Sequence, residues 1–357
     1  MSDAVDWALA ARIAKRVAGQ EPLAESYLYH SLEPDFAEAT VKAEELVALE
    51  TGLRSLDGPA RGRVIDRGDW IDANIRSFQR LLRPLTESLT EKLADGPMSK
   101  ASERLGAVQL GSILGWMSRR VLGQYDLLLT EDEDPQDQDL VYYVGPNVLA
   151  LEKRFAFPPG EFRLWLAVHE LTHRAQFTGV PWMREHFIGL VSQTLDAIDP
   201  DPDRIMTGVK KLIKERREGE TSSIDGGLAL LFASDAQRAV LDQISGLMSL
   251  LEGHGDVIMG RAGGAEIPSS DRFHRVLHQR RTTATGVARI MQKLMGLDAK
   301  LAQYEQGERF IEAIEATRGH DAVSAIWSDK SNLPSIDEIR EPDTWMDRVP
   351  AVAPVGR

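Results

Sequence analysis

Apolar residues recur at three- and four-residue steps along most of the chain, the spacing of amphipathic helices. Ile71, Ile75, Phe78 and Leu82 form one such stripe after Asp69, an expected N-cap, until Pro84 interrupts the pattern. Leu105, Val108, Ser112 and Trp116 begin a second stripe, and Gly111 and Gly115 beside it predict the close approach of a neighbouring helix. Strand signal is confined to residues 124–145, where Tyr125–Leu129 and Leu140–Val144 are short β-prone runs flanking the acidic segment Thr130–Asp139. That segment lacks the central glycine and closing glutamate of an EF-hand calcium loop, so it reads as a solvated hairpin loop. After Pro158-Pro159-Gly160 a helix is predicted from about Glu161 to Phe177, ending near Gly179 and Pro181. A long helix is predicted from Ser234 to Gly263-Gly264, with further helices at 271–304 and 307–318. The run 199–203 and the pair Gly226-Gly227 are breakers, and Pro334, Pro342, Pro350 and Pro354 predict an irregular, packed tail. The expected fold is mainly α, with a small antiparallel β-hairpin or sheet beside one central helix. An N-terminal helical region, 1–123, is expected to precede a catalytic region, 124–357, or to be continuous with it.

Composition narrows the chemistry. The 357 residues include no cysteine and only eight histidines, so thiol nucleophiles, disulfides and cysteine-ligated metals are excluded. A tightly held transition metal must therefore sit on histidine and carboxylate. With 42 Lys+Arg against 55 Asp+Glu the net charge is −13, which argues against a phosphate-backbone partner. The N-terminus Met1-Ser2-Asp3-Ala4-Val5-Asp6-Trp7 lacks the basic-then-apolar pattern of a signal peptide. The most apolar stretch, Leu105–Met117, is well short of the roughly 20 residues that span a bilayer. A cytoplasmic protein with no membrane and no nucleic-acid partner is expected; oligomeric state is not legible.

Residues 169–173 read His169-Glu170-Leu171-Thr172-His173, the H-E-x-x-H pattern, inside the predicted helix. Positions i and i+4 lie one turn apart on one face, so two imidazoles can converge on a single ion. Glu170 sits beside that face, placed to act on a water rather than to ligate. Zinc needs a third protein ligand, for which the best candidate is Glu252, a carboxylate interrupting a helix of Ile244, Leu247, Met248 and Leu251. Left unpaired in an apolar setting it would be costly, so it needs a cation or a hydrogen-bond donor: a metal, or alternatively a buried arginine or a loop that it caps. Asp256, one turn further, is placed to orient a ligating histidine from behind. His254 lies about 200° round the helix from Glu252 and would reach the same site only if the flanking glycines bend the chain. His274 and His278 form a second i, i+4 pair with no glutamate after the first, which favours a solvated or substrate-facing surface over a separate metal site. His30, His186 and His320 are isolated. No G-x-S-x-G elbow, Walker loop or G-x-G-x-x-G turn after a strand occurs.

The chain resembles the zincin-like family of zinc-dependent metalloproteases and hydrolases found in actinobacteria and their relatives, one branch of which is associated with biosynthesis of the deazaflavin coenzyme. The resemblance runs through Asp66-Arg67 with Trp70, the segment 142–147, the segment 167–174 around the paired histidines, Glu252-Gly253 with Asp256, and Gly296-Leu297-Asp298 with Gln303-Tyr304 and Gly307. It ends near Leu333-Pro334 and Trp345. The resemblance implies His169, His173 and Glu252 as zinc ligands in a gluzincin-like arrangement, Glu170 as general base towards a zinc-bound water, and Asp256 behind a ligand. Tyr304, His254, His274 or His278 would supply a donor to the substrate or its oxyanion. The implied reaction is hydrolysis of an amide, with a peptide or a small amide as substrate. The alternative is a non-catalytic, zinc-stabilised accessory protein linked to coenzyme metabolism.

Overall fold

The structure, a computed structural model, describes residues 5–21, 23–83, 97–127, 138–196, 235–262, 264, 266–282 and 297–351. Most of the acidic segment, both breakers, and the side chains at 297–305 (Tyr304 among them) fall outside that description. The chain packs as two compact units, Met1–Pro181 with Ile258–Phe273, and Trp182–Val257 with His274–Arg357. Among the described residues no helix is long and apolar enough to cross a membrane.

The first unit holds α1 (Trp7–Ala18), α2 (Leu32–Thr51), β1 (Arg61–Ile65), α3 (Arg67–Leu81), α4 (Pro97–Ser118), β2 (Gly123–Tyr125), β3 (Leu140–Val144), α5 (Gly145–Phe155) and α6 (Pro159–Thr178). It is mainly helical around one small mixed sheet of order β1-β3-β2, with β3 antiparallel to β2 and parallel to β1. The expected antiparallel pair is thus present, although β2 starts earlier than Tyr125 and pairs Gly123 with Tyr143. The strand β3 is buried along its whole length, which accounts for its unbroken apolar sequence. The parallel partner β1, Arg-Gly-Arg-Val-Ile, has neither a continuous apolar run nor clean alternation, and sequence periodicity passes over it.

Two expectations for the N-terminal helices need correction. Helix α3 is capped by Asp66, whose side chain accepts from Asp69 N–H at 2.8 Å, so Asp69 lies inside the first turn. In α4, Leu105 and Val108 face outward, and the buried side is Ala107, Gly111, Leu114, Gly115 and Ser118. The reason is the approach of α1. A Cβ on Gly111 would lie 2.5 Å from the Ala10 carbonyl oxygen, and one on Gly115 would lie 2.4 Å from that of Ala14. Opposed alanines and glycines let two backbones touch, and the close packing outweighs the larger side chains of the other face.

The second unit contains α7 (Met183–Asp196), α8 (Asp235–Arg261, whose last residues belong to the first unit), α9 (Ser270–Thr282, whose residues up to Phe273 belong to the first unit), and α10 (Leu297–Arg318). Short helices α11 (Ser324–Ser328), α12 (Ile336–Arg340) and α13 (Pro342–Arg348) follow. The break expected before Gly307 is absent: α10 runs straight through it. Gly307 is there for contact instead, since a Cβ on it would fall 1.9 Å from the Ser249 carbonyl oxygen, and one on Gly253 would fall 2.2 Å from the Gly307 carbonyl carbon. The tail is also more regular than its prolines suggest. Ser335 and Glu338 form a capping box on α12, Arg348 clamps Glu338, and buried Trp345 donates to the Asn332 carbonyl at 2.7 Å.

Candidate metal centre

The paired histidines lie on α6, which starts with Pro159 in its first turn and ends at Gly179. Fourteen of its twenty residues are buried, so the helix has no solvated face comparable to that of a surface helix. Its N-terminal half is anchored by rings: Phe162 and Trp165 pack edge-on to Phe273 at 5.2 and 5.7 Å between centroids. Its C-terminal half is anchored by charge. Arg174 is 1% exposed and donates to both carboxylate oxygens of Asp139, to Glu44 Oε1 at 2.7 Å and to the Gly58 carbonyl at 2.8 Å. Burial disfavours the guanidinium charge, but Asp139 and Glu44 more than offset this and its pKa is raised.

Between these anchors, His169 and His173 turn the same way. Their Nε2 atoms face each other at 3.2 Å, with ring planes 81° apart. Two nitrogens bound to one tetrahedral zinc at about 2.0–2.1 Å would sit roughly 3.3 Å apart, so the pair has the spacing of co-ligands. His173 Nδ1 is 2.9 Å from Gln176 Oε1, an acceptor, which puts the proton on Nδ1 and leaves the Nε2 lone pair for a metal. Gln176 is 0% exposed and was not singled out from sequence, although its position three residues after His173 places it on the same face. Gln176→Ala is expected to weaken zinc binding by about 10–100-fold while His169 and His173 remain. Competition with a zinc chelator reads this out, and wild-type affinity in the variant would rule the role out.

Glu170 is buried at 7% exposure and points to β2, where its carboxylate lies against Gly123. That strand is held from its other face. Gln124 Oε1 accepts from Trp70 Nε1 at 2.7 Å and from Asn74 Nδ2 at 3.3 Å. The chain entering β2 is held as well: Asn147 Nδ2 donates to the carbonyls of Ser118 and Val121, and Arg67 Nε donates to Asn147 Oδ1. On the same face of the sheet as Glu170, Tyr143, the cross-strand partner of Gly123, is fully buried with its hydroxyl 2.9 Å from Thr40 Oγ1, and burial, with the nearby Glu170 charge, pushes its pKa up.

The remaining predicted residues are placed as follows. Glu252 and Asp256 are half-buried on α8, between the buried Leu247, Leu250, Leu251 and Val257. The helix is unbroken through Gly253 and Gly255, and His254 is 2% exposed with its ring 5.0 Å from that of Trp327. His274 and His278 lie on α9 with parallel rings 6.3 Å apart, unlike the converging pair on α6. His186 packs edge-on to Trp182, His320 contacts Glu315 at 3.0 Å, and His30 is exposed.

Residues 5–346 match the family described as zincin-like metallopeptidase. The chain is also similar to a solved structure from Chloroflexus aurantiacus, a candidate hydrolase with a novel fold. Identity is 33%, coverage is 96% of this chain and 98% of that one, and the TM-score is 0.69. No curated protein matches the chain. The match spans nearly the whole chain, from the first helix to the last, and the chain belongs to the zincin-like metallopeptidase family.

Proposed function

We propose that the protein is a zinc-dependent amide hydrolase, of gluzincin type, with peptides as its substrates. The observation that carries this is the pair of Nε2 atoms at 3.2 Å with the Glu170 carboxylate buried beside them. A zinc that only held helices together would have no use for that carboxylate.

Glu252 is the proposed third ligand. We take His169, His173 and Glu252 together as the set that would hold the ion, and the ligand chemistry of two imidazoles and a carboxylate supports this. Glu252 also lies two turns before Met259, whose carbonyl accepts from Ser270 Oγ, which in turn accepts from Trp165 Nε1 one turn ahead of His169. Asp256, a further turn along α8, is the proposed acceptor for the second nitrogen of His169, as Gln176 is for His173.

His169, His173 and Glu252 would hold the zinc, which would supply Lewis acidity to a water and to the scissile carbonyl. Glu170 takes the proton from the attacking water and delivers it to the leaving amine. His173, oriented by Gln176, presents its lone pair without needing to rotate. A peptide is favoured over a small amide by the strand next to Glu170. The bonds Val144 N–H to Leu122 O and Asp126 N–H to Leu140 O put the even-numbered residues of β2 towards β3. The backbone N–H and C=O of Gly123 are then directed to the outer edge of the sheet, where an extended chain can add.

Metal analysis tests the centre. Wild type is expected to hold one zinc per chain, and His169→Ala and Glu252→Ala to lose it. Stoichiometric zinc in His169→Ala would end the assignment. A peptide library assayed beside small amides then tests the substrate class, and turnover of small amides alone would favour the smaller substrate.

A further inference from the structure

Most close-packed glycines here are short of space because backbone faces them. A Cβ on Gly111, Gly115, Gly253 or Gly307 would strike a carbonyl or main-chain nitrogen of another helix, which cannot step aside. Gly123 differs. A Cβ on it would lie 2.6 Å from Glu170 Oε1, 2.7 Å from its Cγ and 2.8 Å from its Cδ; all three nearest atoms belong to that one side chain. Gly123 is also not among the residues with positive φ, so the position does not need glycine for its backbone conformation. What it needs is room for one carboxylate.

We propose that Gly123 is a positioning residue for catalysis: its bare Cα forms the wall that sets where the Glu170 carboxylate rests. The inference rests on the reading of Glu170 as general base. Both sides of the contact are fixed from elsewhere. The strand cannot retreat, because Gln124 is held by Trp70 and Asn74 and because Leu122 O accepts from Val144 N–H at 2.8 Å. The Glu170 backbone cannot retreat, because α6 is buried along its length and anchored by Trp165 at one end and Arg174 at the other. What is left to give way is the Glu170 side chain, by turning about its torsions. A methyl group at position 123 must therefore swing the carboxylate away, by about 1 Å to reach ordinary van der Waals distance. A general base displaced that far from its proton loses roughly 10²-fold in rate. Because the clash is with one side chain and with no backbone atom, turning that side chain relieves it and the fold loses little.

The test compares wild type, Gly123→Ala, Glu170→Gln and the double variant, using the peptide or small amide that wild type cleaves fastest. Gly123→Ala is expected to lower kcat about 10²-fold with KM little changed, at wild-type zinc content and melting temperature. The double variant should be no worse than Glu170→Gln, since the methyl group then has no general base to displace. A crystal structure of Gly123→Ala should show the carboxylate moved and β2 in place, a readout independent of turnover. If Glu170→Gln is inactive while Gly123→Ala has wild-type kcat, the proposal fails alone. It fails too if the two losses multiply in the double variant, or if Gly123→Ala melts far below wild type. If Glu170→Gln is as active as wild type, the general-base reading itself has failed.

Discussion

Glu170→Gln is expected to cost about 10²–10⁴-fold in kcat, the usual worth of a positioned general base, and to leave zinc content and folding untouched. The substitution keeps the shape of the side chain, so the contact with Gly123 and the packing under β2 survive. It removes a carboxylate with 7% exposure, so no nearby bulk water can stand in as an equally placed base. It also leaves both converging imidazoles and the Gln176 contact in place, which is why the metal should stay. Single-turnover and steady-state assays with zinc-loaded protein measure the loss directly. Full activity in Glu170→Gln would remove Glu170 as the base, whereas zinc-loaded wild type that turns over neither peptides nor small amides would point to the accessory role, in which the metal serves only to hold the protein together.

Arg174→Ala is expected to be the most damaging change to stability outside the ligands, by about 3–5 kcal/mol. Arg174 follows His173 directly and ties α6 to three other segments: Asp139 at the start of β3, Glu44 on α2 and the Gly58 carbonyl in the loop before β1. Its loss removes the guanidinium donors from the Asp139 carboxylate, which is 14% exposed, and leaves Glu44 Oε1 with the Ala60 N–H in place of a charged donor. It also empties a fully buried volume. Since a domain is stable by only about 5–15 kcal/mol, the urea midpoint should fall sharply. Arg174→Met, which fills the volume but leaves the carboxylates, should recover only part of the loss. Unfolding of Arg174→Ala at the wild-type urea concentration would show that the network contributes no net stability.

These two residues stand at opposite ends of what could be read in advance. Glu170 belongs to a five-residue motif, and its relation to His169 and His173 follows from the pitch of one helix, so local sequence predicts it. Arg174 is adjacent in sequence, yet its partners lie 35, 130 and 116 residues away, and no local pattern names them. The same division runs through the fold. The strand β3 announces itself by its apolar run, whereas β1 is a strand because β3 offers its edge to it. Gly307 looks like a helix break, because a glycine's local effect is to weaken a helix; its actual reason is the Ser249 carbonyl on a crossing helix. Leu105 and Val108 look like a core stripe, but the small residues beside them win the contact with α1.

The absence of cysteine, the H-E-x-x-H spacing and the carboxylate of Glu252 within an apolar helix were enough to limit the chemistry to histidine, carboxylate and a metal. They were enough because metal chemistry depends on residue types, and the two histidines depend only on helical geometry. Most of what makes the two imidazoles and the glutamate a shaped site came from tertiary contact. The one local member is Gln176, which selects the tautomer of His173 from three residues further along the same helix; Gly123 bounds Glu170, and Trp165 and Arg174 hold the helix at its two ends. Such contacts join residues through space at distances of a few ångströms, and the order of residues along the chain does not encode that directly.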